Sequence, residues 1–435
     1  MAKPKFHVSV VGAGLGGLAA AIAIARGGHI VTIFEQAPML AEVGAGIQIP
    51  PNTSRILKRW NILPQIESCA VRPQDFIFRS YRDGAILSTQ NMVPYCEDRY
   101  HAPYLHIHRA DYHEVLAKHA RELGVTIRLN SVVVSIDWKK PSIITDKGQE
   151  FVSDLIIAAD GLKSICRQLL LGHPDPPHLT GDLTYRIVMK TEDMRKHPEL
   201  SELTANPAIN YWMGPNCHVV CYLLKGGELC NLVLACPDNL PEGVNVAAAN
   251  IEEMKALFKG WDPRLSILLG MVQETQKWKL QNSEEMRFWR HPNGKFALLG
   301  DACHSTLPYL AQGAAQAVED GAVLGSLLEQ IEHKSQLQDI LIIYERLRKE
   351  RTTRIVKGST ALREIFHYPD GDFQKERDRQ LLEQEPFEGY PNRWADPVFQ
   401  KFMFAYDAYG EAERAWKLYK DGKFPGTAGK FRARM

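Results

Sequence analysis

Three groups of residues in this chain have types and spacings that could do chemistry. The first is GAGLGG, where Gly12, Gly14 and Gly17 follow an apolar strand and open an Ala-rich helix, and Glu35 closes the next apolar run. In such a strand–turn–helix–strand unit the first glycine permits the tight turn. The second lets a pyrophosphate reach backbone N–H groups, and the third lets the helix pack on the sheet. Glu35 is placed to accept from a ribose hydroxyl. The second group lies in residues 296–325, FALLGDACHSTLPYLAQGAAQAVEDGAVLG. A buried-strand run leads to the carboxylate of Asp301, Pro308 stiffens the chain, and Gly313, Ala314 and Ala315 open a helix almost without side chains. A helix start of this kind exposes N–H donors and a positive dipole end, which suits an anion. Small residues also suit close helix packing, which is the reading for Gly321 and Gly325. The third group is a cation, an imidazole and a phenol. His218 and Tyr222 are four apart on one strand and so share a face; with Arg186, mid-strand in LTYRIVM, they could bind and ionise a phenol.

Three further positions are candidates. Arg55 stands in the first turns of a helix expected to be capped near Asn52 or Thr53, either in solvent or facing a cofactor. Arg109 precedes a helix in which Asp111 and Glu114 are spaced as a capping box. A cation there opposes the dipole unless an anion sits nearby. Asp160–Gly161 ends the apolar strand DLIIAAD, either as an ordinary turn or at the sheet edge where α/β folds bind ligands.

The elements that must position these groups alternate. At 435 residues the chain is long enough for two to three domains. Strand–helix patterns occupy 1–72, 103–172 and 292–360, whereas 73–102 and 173–291 read as short strands between Pro and Gly, a second sheet inserted into the first unit. The helix through YERLRKERTTRIVKGSTALREIF is expected to carry a solvated charged face. Residues 361–435 are helical and rich in aromatics, which need a docking surface on the chain itself or on a second copy in a homodimer.

Hydrophobic content of 45%, charged content of 24% and a net charge of +1 describe an ordinary soluble domain and not a nucleic-acid binder. The eight cysteines lack C-x-x-C pairs, so reduced thiols in a cytoplasmic protein are expected, with no metal site. Val8–Ala25 is interrupted by glycines and is read as neither a leader nor a membrane span. The ending Ala433–Arg434–Met435 loosely matches peroxisomal address signals.

With GAGLGG, DLIIAADG and LLGDACHSTLPYLAQGAAQAVEDG in this order, the chain resembles the single-component FAD-dependent aromatic monooxygenases, especially the salicylate-hydroxylase-like branch. The resemblance implies an α/β, p-hydroxybenzoate-hydroxylase-like fold: a Rossmann-like FAD domain, an inserted β-sheet substrate domain and a C-terminal helical segment. It implies that Gly12, Gly14, Gly17 and Glu35 hold the ADP end of FAD, with Arg109 beside the cofactor. Asp160–Gly161 would serve FAD and passing NADPH or NADH, Asp301 would bind the ribitol, and Pro308 with Gln312–Ala314 would face the flavin ring. The implied reaction uses NAD(P)H and O2 to hydroxylate an electron-rich aromatic through a flavin C4a-hydroperoxide. His218 and Tyr222 match positions that contact or deprotonate the phenol in some relatives, and Arg186 resembles a substrate or peroxide anchor. Cys221 stands where relatives often carry a second histidine. Oxygenation of an alkene or indole on the same scaffold, or flavin binding without turnover, are the alternatives.

Overall fold

In the computed structural model, which describes residues 3–40 and 44–427, the apolar run before GAGLGG forms the strand His7–Val11. The Ala-rich run after it forms the helix Leu15–Arg26. That strand is the middle of a parallel sheet ordered Phe296–Leu298, Leu155–Ala158, His7–Val11, Ile30–Phe34, Thr126–Arg128. Leu155–Ala158 is buried at every position, as an inner strand of a covered parallel sheet requires.

The glycines of GAGLGG divide by what demands them. Gly12 has φ +97°, and a Cβ there would lie 2.5 Å from the Ala159 carbonyl oxygen. A Cβ at Gly17 would lie 2.0 Å from the Gly12 oxygen. Both are therefore required by the fold. Gly14 has φ −67° and ψ 179°, a conformation open to any residue, and its Cβ would meet no protein atom within 4 Å. Nothing in the protein itself requires glycine at this position.

The helix Gly313–Glu329 packs on Leu15–Arg26 at van der Waals distance. Cβ atoms at Gly321 and Gly325 would lie 2.7 Å from the Ala20 nitrogen and 2.5 Å from the Ala23 Cβ, so these two glycines serve packing.

The second sheet has eight strands, ordered Val246–Ala248, Gln276–Asn282, His178–Lys190, Leu229–Pro237, Cys217–Leu224, Ala208–Gly214, Asp75–Ser80, Ile86–Asn91. The hairpin at Asp83–Gly84 thus completes a sheet whose other strands lie far along the chain. Its register sets Arg186 opposite Val233, Val233 opposite Val220, and Val220 opposite Tyr211. One pleat away, Thr184, Ala235 and His218 form a parallel row.

The C-terminal aromatics dock on the chain's own body. Trp394 stacks on Phe76 with centroids 4.4 Å apart, Phe404 meets Tyr100 edge-on at 5.6 Å, and the Trp60 indole donates to the Tyr409 hydroxyl at 2.6 Å. Among the described residues all cysteines are free and no helix is long and apolar enough to cross a membrane. Ala433–Arg434–Met435 lie outside the described residues.

Three local expectations are corrected. The helix Pro51–Arg59 starts at its proline, so Asn52 lies inside it and donates to Glu319 at 2.6 Å instead of capping. The helix Arg109–Glu122 has Arg109 as its first residue and no side-chain cap; Asp111 accepts from Lys225 at 2.9 Å. The charged helix Leu337–Phe366 is not solvated throughout, because Arg348 and Arg351 are buried against Glu319 and Asp320. A buried carboxylate is stable only when paired, and these two acids draw the arginines inward.

Candidate active site

A cavity of about 350 Å³ lies between the turns that follow strands of the parallel sheet and one face of the eight-stranded sheet. One wall comes from the glycine turn and the residues after the Phe296 strand: Gly14, Arg109, Gly161, Asp301, Gly313 and Ala314. The opposite wall is the face of the eight-stranded sheet bearing Arg186, His218 and Tyr222. Pro308 lies between them. Ten residues singled out from the sequence therefore meet in one space.

The first wall is built to receive an anion. The helix Gly313–Glu329 begins with no side-chain cap, so its first N–H groups keep their donors for a ligand. Just before it, Pro308–Leu310 forms a 3-10 turn and Ala311 is held at φ +52°, a conformation that costs a non-glycine residue roughly 1–3 kcal/mol. The turn is tied down from outside: the Tyr309 hydroxyl donates to Asp182, which also pairs with Arg363, and the Ser359 hydroxyl donates to the Leu307 carbonyl at 2.7 Å. Asp301 keeps its accessible surface although protein surrounds it, because that surface faces the cavity. Burial raises its pKa, with Arg109 and His304 opposing the rise.

The second wall pairs a cation with neutral polar rings. Arg186 keeps accessible surface and lines the same cavity, and burial together with nearby Arg109 lowers its pKa. Two guanidiniums near one space favour an anionic occupant. Burial, reinforced by His367, holds His218 well below the usual imidazole range, so it is neutral. Burial and Tyr211 raise Tyr222, which stays a phenol and packs on His106 with centroids 4.4 Å apart. Val233 and Ala235 lie between Arg186 and His218, leaving a shallow apolar floor. Adjacent strands are about 4.8 Å apart, so the strands of Arg186 and His218 are separated by roughly 10 Å.

A family described as FAD binding domain matches residues 5–359. The chain belongs to that family. An FAD-dependent monooxygenase of Beauveria bassiana is 42% identical over 95% of this chain and 98% of its own length. The 3-hydroxybenzoate 6-hydroxylase of Polaromonas naphthalenivorans is 34% identical over 83% and 88%. A solved salicylate hydroxylase substrate complex superposes with a TM-score of 0.79 at 23% identity, covering 94% of this chain and 97% of that one, and so shares the fold. This protein is an FAD-dependent monooxygenase.

The flavoprotein's first wall fits its cofactor. Gly14 offers a surface that a Cβ would fill, the Gly313 helix start offers donors, and Asp301 offers a cavity-facing carboxylate. Four expected cofactor contacts also have partners within the protein. Arg55 is a correction: its guanidinium donates to the carbonyls of Tyr100, Phe404 and Tyr406 at 2.8, 3.2 and 3.0 Å, which fastens the C-terminal segment outside the cavity. The Gln312 side chain is also turned to structure, accepting from Asn52 and Gln316 at 3.1 Å; only its backbone lies at the helix start. Asp160 accepts one bond at each oxygen within its own turn, from the Ser164 hydroxyl at 2.6 Å and the Cys166 N–H at 3.0 Å, which leaves a lone pair on each oxygen, and Gly161 lines the cavity. Glu35 accepts from the N–H groups of Ala13 and Ala37 at 2.7 and 2.8 Å. A carboxylate has lone pairs beyond these two, so it can still accept from a ribose.

The monooxygenase also has residues that the motifs do not announce. Tyr211 and Tyr309 line the cavity beside His218. His367, more than a hundred residues away in sequence, contacts His218 directly. Behind the first wall, Asp320 accepts from His304 and from Arg348, each at 2.6 Å, and from the Gly300 N–H at 3.0 Å. It thereby fixes the residue preceding Asp301. Burial would raise the Asp320 pKa, but His304 and Arg348 outweigh it and hold it at about 2.

A folded-state pKa below the unfolded value gives stability that is present above the unfolded pKa and lost as pH falls through the folded one. Asp320 is therefore expected to contribute roughly 2 kcal/mol that disappears between about pH 4 and about pH 2. Urea unfolding of the wild type and Asp320→Asn across this range checks it. Equal acid slopes in the two proteins would contradict it.

Proposed function

We propose that this monooxygenase uses NAD(P)H and O2 to hydroxylate a phenolic aromatic molecule that also carries an anionic group. The observation that carries the reading is the sheet wall, where Arg186 and the His218–Tyr222 pair flank an apolar floor about one substituted ring wide. Bound FAD supplies the redox chemistry, in which NAD(P)H and O2 yield one oxygen atom for the ring and one molecule of water. Arg186 holds the anionic substituent and so sets the ring's direction. His218, a neutral imidazole, accepts the hydroxyl proton, which makes the ring electron-rich where oxygen must arrive. Tyr222 remains protonated and orients that oxygen by hydrogen bonding. Val233, Ala235 and Val220 cover the ring and exclude water. Relatives whose names specify hydroxybenzoates, including a 3-amino-4-hydroxybenzoate 2-monooxygenase of Streptomyces platensis, support a substrate with both groups.

The test is stopped-flow reduction of the FAD-loaded protein by NADH and by NADPH across a panel of hydroxybenzoates. A matching ring is expected to accelerate flavin reduction and to appear as a hydroxylated product. Nicotinamide oxidation that no hydroxybenzoate changes would overturn the reading.

A further inference from the structure

The cavity's imidazole has an outward partner. His218 is 4% exposed, and its Nδ1 lies 2.8 Å from Nε2 of His367, the residue that ends the long helix Leu337–Phe366. A contact of this length between two ring nitrogens needs one hydrogen between them, so one ring donates and the other accepts. With Nδ1 committed to His367, His218 has Nε2 for the cavity that it lines.

His367 is not among the residues that line the cavity, and it keeps partial exposure. Its carbonyl accepts from the Asn216 N–H at 3.1 Å, fixing it to the hairpin that precedes His218. The ionisable groups around the pair are committed elsewhere: Arg363 binds Asp182 at 2.6 Å, and the Tyr309 hydroxyl donates to Asp182. Tyr211 lies nearly parallel to the His218 ring, with centroids 6.2 Å apart.

We propose that His367 is the positioning residue of a two-histidine relay that passes the substrate hydroxyl's proton from His218 to solvent. The inference rests on the phenolic reading above. The phenol O–H bond breaks and its proton joins His218 Nε2. The proton on His218 Nδ1 passes to His367 Nε2, and the proton on His367 Nδ1 leaves to water. Both rings end neutral with their tautomers exchanged, the substrate is a phenolate, and one proton has been released. The reverse passage resets the pair when the product hydroxyl is reprotonated. Burial disfavours an imidazolium at either ring, holding His367 at about 4 and His218 well below the usual imidazole range. A base that cannot keep a proton is effective when it hands the proton on.

The test mixes the FAD-loaded enzyme, without NAD(P)H, with 3-hydroxy-4-nitrobenzoate, whose phenolate absorbs visible light. Phenolate formation is followed by stopped flow, proton release with a pH indicator, and binding by flavin fluorescence. His367→Phe is expected to slow phenolate formation about a hundredfold, with the binding signal retained. His367→Gln, which can still hydrogen-bond Nδ1 but cannot pass a proton through, is expected to be as slow. Added imidazole is expected to restore part of the rate in both. Wild-type rates in both variants would overturn the relay while leaving the phenolic reading intact. A wild-type enzyme that binds the probe without ionising it would overturn the phenolic reading and the relay with it.

Discussion

Gly14→Val is expected to leave the apoprotein folded and to weaken FAD binding at least about a hundredfold, or roughly 2.7 kcal/mol. The reasoning depends on what surrounds each glycine of the turn. At Gly12 and Gly17 a Cβ would run into backbone atoms at 2.5 and 2.0 Å, so substitution there damages the sheet before it affects any ligand. At Gly14 the backbone is extended and the space is empty of protein. Valine suits extended backbone, and its methyl groups would occupy the surface on which the pyrophosphate reaches the helix N–H groups. Thermal melting of the apoprotein and titration with FAD separate the two effects. A valine variant that binds FAD like the wild type would remove the glycine turn from the cofactor site, and one whose apoprotein is strongly destabilised would show that the fold needs this glycine too.

His218→Phe is expected to lower hydroxylation by about 10²–10⁴-fold, the range for removing a positioned acid–base group, while flavin reduction by NAD(P)H continues. Phenylalanine should be accepted structurally. His218 already sits among the rings of Tyr211, Tyr309 and Phe366, with centroids 6.2, 5.3 and 5.4 Å away. Its loss removes the proton acceptor and leaves an aromatic wall of similar volume. Product formation and nicotinamide consumption, measured together, should therefore diverge. Unchanged product formation would mean that no phenol is deprotonated at this position, and would favour oxygenation of an alkene or indole on the same scaffold.

Much of the site was legible because its residues lie at ends and faces that sequence periodicity marks. The apolar strand before GAGLGG, the strand ending at Ala158 and the run before Asp301 each deliver a turn to one edge of a parallel sheet. Likewise, the four-residue spacing of His218 and Tyr222 places both on the face of a strand that the structure turns towards the cavity. The misreadings concern polar groups whose partners are distant in sequence. Arg55 was open to a cofactor role because nothing local shows that three carbonyls of the C-terminal segment approach it. Arg348 and Arg351 looked like part of a solvated face, yet a usable signal was present: Glu319 and Asp320 lie adjacent within a largely apolar, Gly/Ala-rich helix, and buried acids there need cations from a neighbouring element. His367 carried no such signal. Its meaning arises only when the end of a long helix meets the hairpin at Asn216.

The most direct measurement follows the oxygen atom. FAD-loaded enzyme, NAD(P)H and a hydroxybenzoate that accelerates flavin reduction are incubated under ¹⁸O₂, and the aromatic product is analysed by mass spectrometry. One ¹⁸O atom is expected in the new hydroxyl group of the product, with none incorporated from labelled water when the gas is unlabelled. Nicotinamide oxidation that yields no labelled aromatic product from any hydroxybenzoate tested, or a hydroxyl oxygen that comes from water, would contradict monooxygenation of a phenolic ring in this cavity.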